Sequence, residues 1–290
     1  EQFVREQSGK KRVALAAAHD ADALGSLMMA VDRGIAEAIL IGRRKEIVRV
    51  LDEMGKDAGD FRIIEEEDDR AAADKAVELV HCGEADMPMK GLMHTSTFMK
   101  AILDKEKGLK EDGNLLSQAS VFEIPEKDRF LIISDCAVNI DPDLETKIKI
   151  TENAAALAHT LGIEQPKIAV LSAVEVVNPK IRSTVDAAAM RERLSDRYLI
   201  DGPLALDNAI DEAAAHHKGI ESPVAGNADI LIVPDLWSGN IFSKGLVFFA
   251  HLRSAGTLNG LKAPVVMSSR TDTVENKYLS ILTAVLQTIR

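Results

Sequence analysis

Short apolar runs alternate with amphipathic stretches along almost the whole chain, and this rhythm is the feature that leaves fewest folds open. Residues 12–18 (RVALAAA) predict a strand, 22–33 a helix closed by Gly34, 37–41 a strand, and 45–54 a helix closed by Gly55. The pattern repeats with a strand at 61–64 and a helix at 68–81 ending near Gly83. Strand-helix-strand repeats of this kind predict an α/β fold with mostly parallel sheets and right-handed crossovers. Aromatic residues are only 4% of the chain, so packing rests on Ala, Val, Ile, Leu and Met, which suits helices laid on a parallel sheet.

The stretch 87–91 leads into an amphipathic helix at 95–103, and then 104–117 (DKEKGLKEDGNLLS) turns polar and Gly-containing, which predicts a domain boundary. A second unit follows, with strands at 120–124, 130–134, 167–172, 198–201 and 229–233 and helices at 143–161, 183–194, 206–217 and 240–252. After a loop at 256–260, a strand at 263–267 and a helix at 272–289 close the chain. That last pair is too small to stand alone, so it is expected to return to the first sheet. The expected domains are 1–116 plus 261–290, discontinuous, and 117–260. Chains of this length usually divide into two cores.

With 46 acidic against 35 basic residues the net charge is −11, which argues against a nucleic-acid partner. Any anionic ligand then needs a local cationic pocket. No apolar run approaches the ~20 residues that span a bilayer, and the first residues, EQFVREQSGKKR, lack a signal-peptide core, so a soluble cytoplasmic protein without membrane partners is expected. Cys82 and Cys136 sit in no C-x-x-C pair and near no metal-spaced His set; a metal site is not expected and a reducing compartment is.

In parallel sheets ligands bind beyond the carboxyl ends of the strands, so the strand-to-helix junctions are where chemistry is sought. One junction is VVMSSRTD (265–272), where Ser268, Ser269, Arg270 and the free amides of a helix start gather in one turn. Amides and guanidinium together suit a phosphate or oxyanion; a plain helix cap at Ser269 or Asp272 with a surface Arg270 is the alternative. A second junction, KGLMHTSTFMK (90–100), offers Lys90, Gly91, Thr95, Ser96 and Lys100, again readable as an anion site or as a capped helix with solvated lysines. His94 lies inside it and reads as a polar helix start. A third, VPDLWSGNIFSK (233–244), carries Asn240 and Lys244 one helical turn apart beside the single Trp237. The turn NIDPDL (139–144) reads as a helix cap with Pro near the first turn. There is no G-x-G-x-x-G, no G-x-x-x-x-G-K-[ST] and no G-x-S-x-G. Cys136, just after a strand, reads more simply as a small buried residue than as a nucleophile.

Six blocks in one order, KGLMHTSTFMKAIL, SDCAVNIDPDLETK, KIAVLSAVEVVNPKIRSTVDAA, IDGPLALDNAI, ADILIVPDLWSGNIFSK and APVVMSSRTD, resemble the phosphate acetyl/butyryltransferase family, its butyryltransferase branch in particular. The resemblance runs from Lys90 to Asp272; the N-terminal third shares only the βα rhythm. It implies the two-domain α/β fold of isocitrate and isopropylmalate dehydrogenases, with an interdomain cleft as active site and a homodimer or larger homo-oligomer. It also implies reversible exchange of a short acyl group between coenzyme A and inorganic phosphate, with acetyl transfer as the alternative to butyryl. Coenzyme A would be substrate or product, and no tightly bound cofactor is expected.

Carried over by the resemblance, Arg270 holds phosphate and Ser269 hydrogen-bonds near the thioester. Lys100 stands where the acetyltransferase branch has an arginine, keeping the cation and losing bidentate geometry. Thr95 falls in the hydroxyl-rich turn, with Lys90, Gly91 and Ser96 beside it as substrate contacts. Asn240 and Lys244 match a G-N-x-x-x-K helix start. Where the acetyltransferase branch has an aspartate proposed as base, this chain has Asn276, which cannot take a proton; Asp272 is the substitute, or no base is needed. The competing readings are a dehydrogenase of the related fold and a non-catalytic acyl-CoA-binding domain.

Overall fold

The structure, a computed structural model, describes residues 1–7 and 9–289. In chain order the elements are α1 (Gln2–Gln7), β1 (Lys11–Ala16), α2 (Ala21–Asp32), β2 (Ala36–Gly42), α3 (Arg44–Glu53), β3 (Arg62–Glu65), α4 (Asp69–His81), β4 (Met87–Lys90) and α5 (Thr95–Ile102). They continue with β5 (Ser117–Ile124), β6 (Arg129–Ser134), α6 (Leu144–Thr160), β7 (Lys167–Leu171), α7 (Arg182–Leu194), β8 (Leu199–Leu204), α8 (Leu206–Ile210), α9 (Glu212–His217), β9 (Ile230–Ile232) and α10 (Leu236–Phe248). Strands β10 (Ser254–Asn259) and β11 (Val265–Val266) and helix α11 (Val274–Gln287) complete the chain. It divides into two compact units, Glu1–Asn114 with Ala255–Arg290, and Leu115–Ser254.

The first unit is built on the strand order β3-β2-β1-β4-β11-β10, parallel except for the β10–β11 pair. Aspartates start the helices: Asp20 caps α2 and Asp68 caps α4, its carboxylate accepting the Ala71 N–H at 2.9 Å. Gly34 and Gly83 end them at φ of 73° and 72°, left-handed angles that an L side chain resists. Leu15, Leu27, Leu40, Leu51 and Met89 share one core with Tyr278, Ile281 and Val285 of α11. The closing helix therefore packs on the first sheet, because its apolar side chains at positions 278, 281 and 285 form one stripe.

The second unit has the order β5-β6-β9-β7-β8, antiparallel at β5–β6 and parallel elsewhere. Phe122, Ile133, Ala169, Leu204 and Leu231 form its core with Cys136.

Helix α1 has no counterpart in the sequence reading, and three later segments differ from it. The expected loop at 256–260 is strand β10, whose Leu258 pairs with Val265; its Gly and Asn content hides a strand that tertiary pairing imposes. The segment therefore lies in the first unit rather than in the expected second domain. The expected helix at 206–217 is broken at Asp211, extended at φ −124° and ψ 118°, whose side chain caps α9 through the Ala214 N–H at 2.7 Å. Helix α10 begins at Leu236 rather than Asn240, because Asp235 accepts the Ser238 N–H at 2.8 Å and starts it a turn early.

Candidate active site

In the first sheet the chain runs from β1 outward through β2 to β3 and then returns to place β4 on the other side of β1. The carboxyl ends of β1 and β4 thus form a topological switch point, the place where parallel sheets commonly bind ligands. Ala16 of β1 lies beside Lys90 of β4, and Met89 beside Val266 of β11, so the loops after these parallel strands leave side by side. Three sequence segments far apart in the chain meet there: 17–20, 91–94 and 267–273.

Gly91 is fixed by packing. Its N–H donates to the Ala16 carbonyl at 2.8 Å, and a Cβ would stand 2.3 Å from the Ala17 oxygen and 2.5 Å from that of Ala16. Contact with β1 accounts for this glycine without any ligand.

The 267–273 loop is a tight turn rather than a helix cap. Asp272 Oδ2 accepts the Ser269 N–H at 2.7 Å, and Ser269 Oγ lies 3.1 Å from Thr271 Oγ1. The cap of α11 is Thr273, whose Oγ1 accepts the Asn276 N–H at 3.1 Å; neither Ser269 nor Asp272 takes that role. Ser269 and Arg270 are exposed, while Ser268 is buried. Arg270 Nη2 lies 2.9 Å from His94 Nδ1. A guanidinium only donates, so His94 Nδ1 is the acceptor in this contact. This contact joins the two sequence junctions 176 residues apart.

Lys90 is 3% exposed, and its Nζ donates to the Gly91 carbonyl at 3.3 Å. Burial first, then the charge of Arg270, pulls its ammonium below the ordinary lysine range; Asp20 opposes, Lys277 adds to the lowering and Asp272 opposes. A buried lysine held next to other cations is poised to receive an anion, because a bound negative charge relieves their repulsion. Thr95 and Ser96 are exposed in the first turn of α5, capped by the His94 backbone position without a side-chain cap. Lys100, exposed in the last turn, shares a face with Ser96 but lies about 6 Å further along the axis.

Asn240 and Lys244 belong to the second unit, in the second and third turns of α10 rather than at its start. Asn240 Nδ2 donates to the Cys136 carbonyl at 3.1 Å, and Lys244 is exposed. The turn that Asn240 binds is organised by Asp135, 3% exposed, whose carboxylate accepts the N–H groups of Ala137 at 2.8 Å and Val138 at 2.9 Å and the Asn139 side-chain amide at 2.6 Å. Gly239 sits against the same turn, where a Cβ would meet the Asp135 oxygen at 2.5 Å.

Cys136 is buried, and burial, then the nearby Asp135 charge, pushes its thiol up to about 12. It is protonated at neutral pH and no nucleophile. Asn276 is buried in the first turn of α11. No group of three or more His, Cys, Asp or Glu side chains among the described residues has the arrangement of a metal site. No helix among them is long and apolar enough to cross a membrane. Two residues gain importance that the sequence alone does not give them: His94, whose contact with Arg270 no spacing rule reveals, and Lys277, a lysine in the first turn of a helix.

Residues 69–285 match the phosphate acetyl/butaryl transferase family. The chain is 47% identical to the phosphate butyryltransferase of Clostridium acetobutylicum over 281 residues, 95% of this chain and 93% of that protein. It is 42% identical to the phosphate acetyltransferase of Thermotoga maritima over 287 residues, 97% of each. A crystal structure of a branched-chain phosphotransacylase from Enterococcus faecalis superposes with a TM-score of 0.86 at 34% identity, over 96% of this chain and 98% of that one.

Proposed function

Because the chain belongs to the phosphate acetyl/butaryl transferase family, we propose that it exchanges a short acyl group between coenzyme A and inorganic phosphate, with butyryl-CoA as preferred donor and acetyl-CoA as the alternative. The observation that carries this reading is the cationic group at the β1/β4 switch point. Exposed Arg270 on the loop after β11 and buried Lys90 at the end of β4 stand there, in a chain whose net charge is −11.

In this reading Arg270 binds two phosphate oxygens with its planar fork and Lys90 neutralises further charge. Thr95 and Ser96 hydroxyls and the amides at the start of α5 add donors to the same anion, with Gly91 keeping the preceding loop against β1. A phosphate oxygen attacks the thioester carbonyl carbon. The carbon–sulfur bond then breaks as the tetrahedral intermediate collapses, giving acyl phosphate and a coenzyme A thiolate that takes a proton. Ser269 donates to the developing oxyanion or to the departing sulfur. Positioning and charge cancellation carry the step, with no covalent enzyme intermediate. Buried Cys136 agrees with that route.

In the reverse direction the thiol must ionise. With a pKa near 8.5 this costs about 2 kcal/mol at neutral pH, so a strong base is not required. Asp272 braces the loop through the Ser269 N–H and is the carboxylate assigned to receive that proton. Lys100, Asn240 and Lys244 are assigned to substrate binding on the family pattern.

The protein is proposed to work in the cytoplasm as a homodimer or larger homo-oligomer. In α10, Trp237, Ile241 and Phe248 are 60%, 71% and 55% exposed and fall on one face, an apolar stripe of the kind that monomers rarely leave open. The experiment for the reaction is release of free thiol from butyryl-, propionyl- and acetyl-CoA with and without phosphate. Phosphate-dependent release, fastest with butyryl-CoA, is expected; release that ignores phosphate sinks the proposal.

A further inference from the structure

Lys277 is placed against the ordinary electrostatics of a helix. It lies in the first turn of α11, where the dipole favours anions, and it is 2% exposed, so its ammonium is both desolvated and at the wrong helix end. A position of this kind persists only when the charge is held by good acceptors. Lys277 Nζ donates to two backbone carbonyls, those of Arg270 at 3.4 Å and Asp272, and both belong to the loop that carries Arg270.

We propose that Lys277 is a positioning residue that clamps the 269–273 turn from beneath and so sets where the Arg270 guanidinium stands for phosphate. The inference rests on the phosphate-binding role given above to Arg270. Within the turn Asp272 Oδ2 accepts the Ser269 N–H, the Ser269 carbonyl accepts the Asp272 N–H, Ser269 Oγ accepts the Thr271 N–H at 3.4 Å and lies 3.1 Å from Thr271 Oγ1, and Thr273 Oγ1 accepts the Asn276 N–H. These contacts span two or three residues each, and none of them takes up the carbonyl of the Arg270 peptide. Lys277 acts on that peptide itself. Its stem fills the core side of the loop, and its head reaches the carbonyls on both sides of Thr271. The buried charge also adds to the positive field at Lys90.

Lys277→Met keeps the length and apolar volume of the stem and removes the donors and the charge. Burying an uncharged chain there is not expected to destabilise the fold, since a desolvated ammonium is removed together with its hydrogen bonds. The expected result is a phosphate KM raised about tenfold or more, an acyl-CoA KM within twofold of the parent, and an unfolding midpoint within a few degrees. Lys277→Gln, one bond too short to reach both carbonyls, is expected to raise the phosphate KM about fivefold and decides the matter if the methionine variant does not fold. Lys277→Arg should recover part of the loss.

An unchanged phosphate KM in a folded methionine or glutamine variant overturns the proposal. So does a lowered kcat that only follows a lowered folded fraction with both KM values intact. Phosphate-induced thermal stabilisation supplies a readout that needs no turnover. If the parent protein is stabilised by phosphate and the methionine variant is not, the clamp stands even where acyl transfer fails; if both are stabilised equally, the clamp fails while acyl transfer is unaffected.

Discussion

Replacing Gly91 by alanine tests the packing of the switch point itself. The added Cβ would meet the Ala17 oxygen at 2.3 Å and the Ala16 oxygen at 2.5 Å, both backbone atoms that cannot swing aside as a side-chain tip does. Reaching even a tight contact requires β1 and β4 to part by roughly 0.7 Å at this point, in the range where overpacking costs about 1–3 kcal/mol. The same movement strains the Gly91 N–H bond to Ala16 at 2.8 Å and the Leu92 N–H bond to Ala17 at 3.1 Å, each worth about 1 kcal/mol. The expected loss is about 3 kcal/mol, or about 6–12 °C in the unfolding midpoint of a unit this size. Thermal unfolding followed by circular dichroism measures it. Gly245→Ala in the interior of α10 serves as the opposite control, because a Cβ there meets nothing within 4 Å and alanine favours the helix by up to about 1 kcal/mol. A Gly91→Ala protein that unfolds at the parent midpoint, while Gly245→Ala shows its gain, refutes the account of this junction.

Of the two cysteines, exposed Cys82 should react with a thiol reagent in the native protein and buried Cys136 only after unfolding, and Cys136→Ala should retain activity without trapping an acyl-enzyme. The lowered Lys90 pKa means that its charge is lost as pH rises through a value below 10.5, so the phosphate KM should climb on the alkaline side and Lys90→Arg should flatten that limb. The sign for stability is opposite to that of a lysine that gains a partner. Between the lowered value and 10.5 the unfolded chain holds the proton that the folded chain has released, so this group's contribution rises with pH across that window. Phe248→Asp should convert an oligomer to monomer by light scattering, because it places a charge in the apolar stripe of α10; an unchanged mass removes that face from the interface.

The architecture was largely legible because α2, α3 and α4 keep their apolar period and stop at Gly34, Gly55 and Gly83, which take positive φ in three dimensions, whereas α1 over 2–7 carries no such signal. Where local signals and tertiary pairing disagree, the reading slips. Residues 256–260 look like a loop, yet 256–259 belong to β10 because Thr257 and Leu258 find partners on β11, and α10 starts early because Asp235 caps it. The two anion-binding junctions were visible as residue types, since hydroxyls, glycine and cations at strand ends are readable in one dimension. Their meeting was not: the Arg270–His94 contact depends on β4 and β11 being neighbours, which no spacing encodes. Lys277 was hidden for another reason. A lysine in a helix reads as solvated, and only its burial beneath the loop shows that its charge is turned inward.

Phosphate is proposed as the acyl acceptor, with Arg270 as the residue that holds it. The most direct measurement is the yield of coenzyme A and acyl phosphate, the latter trapped as hydroxamate, at varied phosphate for the parent and Arg270→Gln. Equal yields of the two products that saturate with phosphate are predicted for the parent, with kcat/KM for phosphate falling about 100-fold in the variant, the loss of about 3 kcal/mol expected for a charge-assisted pair. Coenzyme A released without acyl phosphate, or an Arg270→Gln enzyme with the parent's phosphate saturation, would contradict it.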